Sequence, residues 1–195
     1  MGQVVIALIP GAAALVWYFG PGVIVNLTVA LVSALTFEAL VLYVRGRPLS
    51  HLLDGSAAVT GLLLGLCLPP FLPVWMIVIG CLFAIVFAKH LYGGLGQNVF
   101  NPAMVGYAVL IIAFPLAMSQ WSSPLDPWQS FSQILTTKLG GPVADGITMA
   151  TPLDTFKFRG ALTVSEVWQM GPGFGVVSGT GWESINLAFL LGGLY

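Results

Sequence analysis

Thr148 and Thr151 are the hydroxyls of this chain best placed for chemistry. They lie in the stretch Asp145-Gly146-Ile147-Thr148-Met149-Ala150-Thr151-Pro152-Leu153-Asp154. A Gly and a Pro in so short a segment keep the backbone out of regular helix and leave an alcohol accessible. A threonine hydroxyl is a poor nucleophile by itself and should not modify itself unaided. The neighbour Ala150 is small, and Pro152 fixes the chain direction after Thr151. Spacing alone favours a turn in which Thr148 or Thr151 caps the next element, since Ser/Thr turns are common.

The elements that must carry this stretch are built for lipid. Of 195 residues, 57% are hydrophobic and only 7% charged, and the mean hydropathy is +0.96. Soluble domains carry about 25% charged residues. Apolar segments recur along the chain instead of occurring once at its start, which excludes a lone signal peptide as the cause. The formal net charge of -1 leaves no basic footprint for nucleic acid. Cys67 and Cys81 both fall in apolar runs, without metal-ligand spacing, so neither a disulfide nor an iron–sulfur site is implied.

A membrane span needs about 20 apolar residues. Candidate runs are Gln3 to Phe19, Gly22 to Val44, Ser56 to Leu68, Val74 to Ala88 and Ala103 to Met118, with a sixth starting near Ser184. The third is short and stops at Pro69-Pro70, so it reads as a broken or half-crossing helix, tolerated only where protein or a cavity surrounds it. The expectation is an all-α polytopic membrane protein of about five to six helices. Residues 1–119 form helices one to five, 120–184 an extracytoplasmic polar loop segment, and 185–195 the start of a sixth helix. Arg45 and Arg47 follow the second run and Lys89 follows the fourth. The positive-inside rule puts both connections in the cytoplasm and the mildly acidic 120–184 segment outside. The last run, Leu187 to Tyr195, has no polar flank, which reads as a fragment of a longer membrane protein.

Glu38 is the lone acid well inside a span, and intramembrane carboxylates are functional hypotheses by default. A Na⁺ or H⁺ relay is one reading; snorkelling or structural pairing, with Arg45 about two turns away, is the other. Ser56, Thr60 and the Gly61/Gly65 pair predict close helix packing. The Gly93-Gly94-Leu95-Gly96-Gln97-Asn98 loop lacks the Lys and Ser/Thr of a phosphate-binding loop and does not follow a strand. It reads as a tight turn, after which Asn101-Pro102 caps and starts the fifth span. Trp121, Trp128, Trp168 and Trp182 lie in or near the polar segment and predict interfacial anchoring.

Three stretches together carry a resemblance. They are AKHLYGGLGQNVFNPAMVGY at 88–107, DGITMATPLDTFK at 145–157, and GWESINLA at 181–188 running into Gly192-Gly193. This pattern resembles the RnfD/NqrB family of membrane flavoproteins, the RnfD branch more closely, because Pro152-Leu153-Asp154-Thr155-Phe156-Lys157 follows the acceptor position. The resemblance implies a subunit of the Rnf complex, which moves electrons between reduced ferredoxin and NAD coupled to Na⁺ or H⁺ movement. It implies FMN joined by a phosphoester bond to Thr151, with Thr148 the competing hydroxyl, and a separate flavin transferase using FAD and Mg²⁺. It also implies other Rnf subunits as partners, a bacterial inner-membrane location with the flavin on the periplasmic face, and a second, non-covalent flavin in a full-length protein. Asp145 and Asp154 would repel the phosphodiester, so Lys157 or Arg159 is the better candidate to meet it. No catalytic or metal-ligating residue is assigned. NqrB-like quinone reduction and a channel- or transporter-like protein, suggested by the broken third helix, are the rival readings.

Overall fold

The computed structural model describes residues 1–94, 96–124, 131–141, 152–170, 174–176 and 179–194. Among the described residues, helix α1 (Gly2–Phe19) and helix α2 (Gly22–Val44) are the two helices long and apolar enough to cross a membrane. Gly20 separates them: at φ 75° it adopts a backbone that side chains rarely allow, while its N–H closes α1 on the Val16 carbonyl at 2.9 Å. The exposed Ile9, Trp17, Ile24, Val32 and Leu40 give these two helices an apolar outer surface, as lipid contact requires.

Helix α3 (Ser56–Leu66) lies against α2 through small residues. A Cβ added at Gly61 would stand 2.8 Å from the Ala30 carbonyl oxygen, so only glycine permits that approach. The packing expected from Gly61/Gly65 is present. The helix stops before Pro69-Pro70, as expected, and the chain returns as α4 (Val74–Leu82). From Phe83 to His90 this helix continues in π-helical form, a wider turn frequently found at functional sites. Lys89, expected in a connecting loop, is therefore inside the helix and buried.

Helix α5 (Pro102–Ala113) begins as expected, with Asn101 Oδ1 accepting from the Ala103 N–H at 3.0 Å. The fifth run is not one helix, however. It breaks at Phe114 (φ -134°, ψ 57°) and resumes as α6 (Pro115–Ser119). Pro115 has no N–H to donate, and its ring disfavours helical backbone at Phe114.

The main core joins α2 to α5: Ala30, Leu64, Leu68, Leu72, Ile77, Cys81, Ala84, Ala103 and Leu110. The polar segment, expected as loop, contains three short helices among its described residues: α7 (Phe131–Lys138), α8 (Pro152–Lys157) and α9 (Val164–Met170). The sixth run appears as α10 (Trp182–Gly193), which packs along α1, with Gly11 beneath Phe189 and Gly192 against the Ala7 carbonyl. Leu15, Phe19, Val23, Leu66 and Ile185 form a second cluster there. Phe174 and Gly179 form an isolated antiparallel bridge.

Candidate functional site

Thr151, Thr148, Asp145 and Trp128 lie outside the described residues. The described structure resumes at Pro152, the first residue of α8, one peptide bond from Thr151. Proline suits a first helical position, because its missing N–H is one that would find no partner there. Phe156 on α8 then meets Trp168 on α9 at 5.9 Å between ring centroids, and Phe174 at 5.2 Å. Trp168 and Phe174 close the triangle at 5.3 Å. All three rings are half-buried. Lys157 sits 5.2 Å over the Phe158 ring, and Lys157 and Arg159 are both exposed.

Helix α9 is held by a reciprocal cap that its sequence, Thr163-Val164-Ser165-Glu166, encodes. The Thr163 N–H and hydroxyl both donate to Glu166 Oε2, at 2.7 and 2.6 Å. These bonds hold the Glu166 carboxyl below its ordinary value. The motif fixes the start of the helix that carries Trp168. An open cavity of about 530 Å3, lined by Val164, Ser165, Trp168 and Gln169, lies on the same helix.

At the α3–α4 break the chain makes a second polar site. Asn26, fully buried on α2, donates from Nδ2 to the Leu68 and Pro69 carbonyls at 3.1 and 2.9 Å. It thereby gives the buried Leu68 carbonyl a donor and adds a second to the Pro69 carbonyl, which also accepts from the Leu72 N–H at 3.1 Å. Lys138, the last residue of α7, reaches into the same break and donates to Asn26 Oδ1 and to the Leu72 carbonyl, the latter at 3.0 Å. Burial pushes its ammonium down to about 7. A neutral amine has two N–H bonds for two acceptors, whereas the ammonium form carries a third. Beside it is a cavity of about 260 Å3 lined by Leu72, Pro73, Gln120, Thr137 and others. Sequence reading missed Lys138 and Asn26. An Asn within an apolar helix was the available signal; its partner, 112 residues away, was not readable.

Glu38 is buried, and the structure corrects its partner. The pairing is with Lys89, at 2.8 Å, and not with Arg45. Lys89 Nζ also donates to Ser56 Oγ at 2.7 Å. His90 Nε2 lies 2.8 Å from the same Glu38 oxygen, without hydrogen-bonding alignment. The π-helical turn places the adjacent Lys89 and His90 both on the α2 side. Arg45 instead donates to the His90 carbonyl at 2.7 Å, which joins the connection after α2 to the end of the π-helical stretch. Nearby, Asp54 accepts from the Ser56 N–H and hydroxyl at 2.7 and 2.6 Å. Burial works to raise Asp54, but the Ser56 bonds and the Lys89 and His51 charges together outweigh it, so its carboxyl sits below its ordinary value. Among the described glycines of the next turn, Gly93, Gly94 and Gly96 all have positive φ, as a tight reversal needs.

Comparison with known proteins agrees with the motifs read from the sequence. The chain is 50% identical to an ion-translocating oxidoreductase complex subunit of Alcanivorax borkumensis, over 100% of its own length and 58% of that protein. It is 48% identical to the protein of the same name from Ectopseudomonas mendocina, over 100% of this chain and 57% of that one. With the Salmonella newport protein of that name identity is 46%, over 98% and 60%. The chain thus spans somewhat over half the length of these relatives. The model of the NQR2, RnfD, RnfE family matches residues 1–195, and the chain belongs to that family.

Proposed function

We propose that this chain is the membrane electron-transfer subunit of an Rnf-type ion-translocating ferredoxin:NAD oxidoreductase, and that it carries FMN as a phosphoester of Thr151. Identity to proteins named as one subunit of an ion-translocating oxidoreductase complex is the observation that carries the reading. The acceptor follows from the DGITMATPLDTFK stretch, in which Thr151 precedes Pro152. Attachment needs a flavin transferase that breaks the pyrophosphate of FAD. The Thr151 oxygen bonds to the FMN phosphorus, the hydroxyl proton leaves, and AMP departs.

The described neighbours suit such a group. Exposed Lys157 and Arg159 offer positive charge close along the chain to the acceptor, and half-buried aromatic rings offer a planar apolar surface. FMN supplies the redox chemistry when bound, and the chain's own residues tether, orient and partly shield it. Arg45, in the basic connection after α2, holds the His90 carbonyl at the same end of the bundle, while the polar segment reaches the other end of α2 through Lys138; this supports a flavin segment on the periplasmic side of the inner membrane. Other subunits of the complex would supply the ferredoxin and NAD chemistry, and the coupled ion would be Na⁺ or H⁺.

The test is in-gel flavin fluorescence of denatured chain co-expressed with a flavin transferase. Signal that survives SDS in wild type and in Thr148→Val, and is lost in Thr151→Val, is the expected result. Loss with Thr148→Val alone would move the acceptor. No signal in correctly inserted wild type would reject covalent flavin here.

A further inference from the structure

Resting on the Thr151-linked FMN just proposed, we infer that Trp168 is the aromatic partner on which the isoalloxazine ring stacks, backed by Phe156 and Phe174. Three observations converge. Phe156 is tied to the acceptor by sequence: helix α8 starts at Pro152, so Phe156 stands four residues, roughly 6 Å of helical rise, beyond the residue bonded to Thr151. Phe156 in turn packs on Trp168, so α8 and α9 are joined through these rings. Finally, Trp168 also lines the open cavity of about 530 Å3 with Val164, Ser165 and Gln169. That size is within the range of small-molecule sites, about 300–1,000 Å3.

The arrangement has the form of a platform. Trp168 and Phe174 are tilted by only 30°, while Phe156 meets Phe174 edge-on at 67°. Both phenylalanines contact the indole, and the cavity is on the helix that presents it. Phe174 is itself fixed by its bridge to Gly179, next to the start of α10. The Thr163–Glu166 cap anchors α9 one turn before Trp168. A half-buried indole with a braced ring is suited to a flat, electron-poor heterocycle, because offset aromatic stacking adds to area burial. The rim residues Ser165 and Gln169 add hydrogen-bonding groups at the edge of that surface.

The experiment reads the flavin's emission in the folded full chain, labelled by a co-expressed flavin transferase and held in detergent. A stacked indole quenches an excited flavin by giving it an electron, which then returns, so no net oxidation accumulates. Tyrosine does the same and phenylalanine does not. Native wild-type emission should be severalfold below that of the same sample after denaturation. Trp168→Phe, which keeps a ring in the bracing triangle, should raise native emission and lengthen the emission lifetime severalfold. Trp168→Tyr should remain quenched. SDS-stable in-gel fluorescence should be equal in all three, which shows that labelling is intact. Equal labelling with native emission unchanged by Trp168→Phe overturns the stacking assignment and leaves the Thr151 attachment standing. Wild type without SDS-stable fluorescence overturns the attachment, and this inference with it.

Discussion

Lys89 and Lys138 are both shielded from solvent, at 2% and 1% exposure, but their surroundings differ in kind. Lys89 faces the Glu38 carboxylate with Ser56 and His90 beside it. Lys138 faces only neutral oxygens among the described residues, the Asn26 amide and the Leu72 carbonyl. Both sites hang on α2, where Asn26 and Glu38 stand twelve residues apart, about 18 Å of helical rise. The comparison shows two ways in which a lysine can be buried. One supplies a countercharge; the other supplies acceptors for a neutral amine and lets burial remove the proton.

The largest effect should come from the countercharged site. Lys89→Met leaves the buried Glu38 carboxylate without its ammonium, and breaking a buried pair in this way costs about 3–5 kcal/mol. His90 Nε2 then remains as the nearest side-chain nitrogen, 2.8 Å away. Glu38→Leu combined with Lys89→Met should recover most of the loss, because two apolar residues need no partner. Thermal unfolding of the detergent-solubilised variants measures this. A Lys89→Met chain as stable as wild type would mean that the two lysines are buried in the same way after all.

The next effect separates the sites by pH. The unfolded chain keeps the Lys138 proton up to its ordinary 10.5, whereas the folded chain gives it up at about 7. Between those values the unfolded state binds more protons, so this residue's contribution to stability rises with pH across the window. Below about 7 both states are charged and the cost of burying the ammonium is fully present. Lys138→Met should abolish that part of the pH dependence. Lys138→Arg, charged at every pH, should destabilise by a few kcal/mol relative to wild type, and most above pH 7. The magnitude follows from placing an unpaired charge among neutral oxygens. Unfolding midpoints at pH 6.5 and 9 decide it: parallel shifts for wild type and Lys138→Met would reject the neutral amine.

How much of this was legible in the sequence depends on the reach of each contact. The two long helices, the break at Pro69-Pro70, the Asn101-Pro102 start and the Gly61/Gly65 packing were all readable, because each rests on local chemistry or on spacing along one helix. Glu38 stood out because an acid in an apolar run is expensive. Its partner did not, since the boundary drawn after Ala88 made Lys89 a loop charge. Only the π-helical turn, which no simple periodicity signals, carries Lys89 inward. The split at Phe114 was written in Pro115 but outweighed by the continuous apolar run. In the polar segment the Thr163–Glu166 cap was encoded by spacing and passed over. The aromatic triangle joins residues 156, 168 and 174 across two helices and a bridge, and composition does not order such contacts.

The smallest expected effect sharpens the countercharged side. Asp54 belongs to the same end as Lys89 and contributes to it at one remove, accepting from the Ser56 N–H and hydroxyl while Ser56 in turn accepts from Lys89. Asp54→Asn preserves an oxygen for the turn at the start of α3 but removes the charge. The loss should be about 0.5–1 kcal/mol, the range for groups that cap a helix start, and near its lower end because the side chain is exposed to solvent. The sign in pH follows from its lowered carboxyl. Stability from Asp54 is present above its ordinary value of 3.8 and is lost as pH falls through the lower folded value. Wild type and Asp54→Asn should therefore differ at pH 6 and converge in acid. Because the cost is small, the useful comparison is with Lys89→Met in the background: if Asp54 acts through Ser56 on the lysine, its substitution should cost less once Lys89 is gone. Equal costs in both backgrounds would confine Asp54 to capping α3 and leave Glu38 and Ser56 as the groups that hold Lys89.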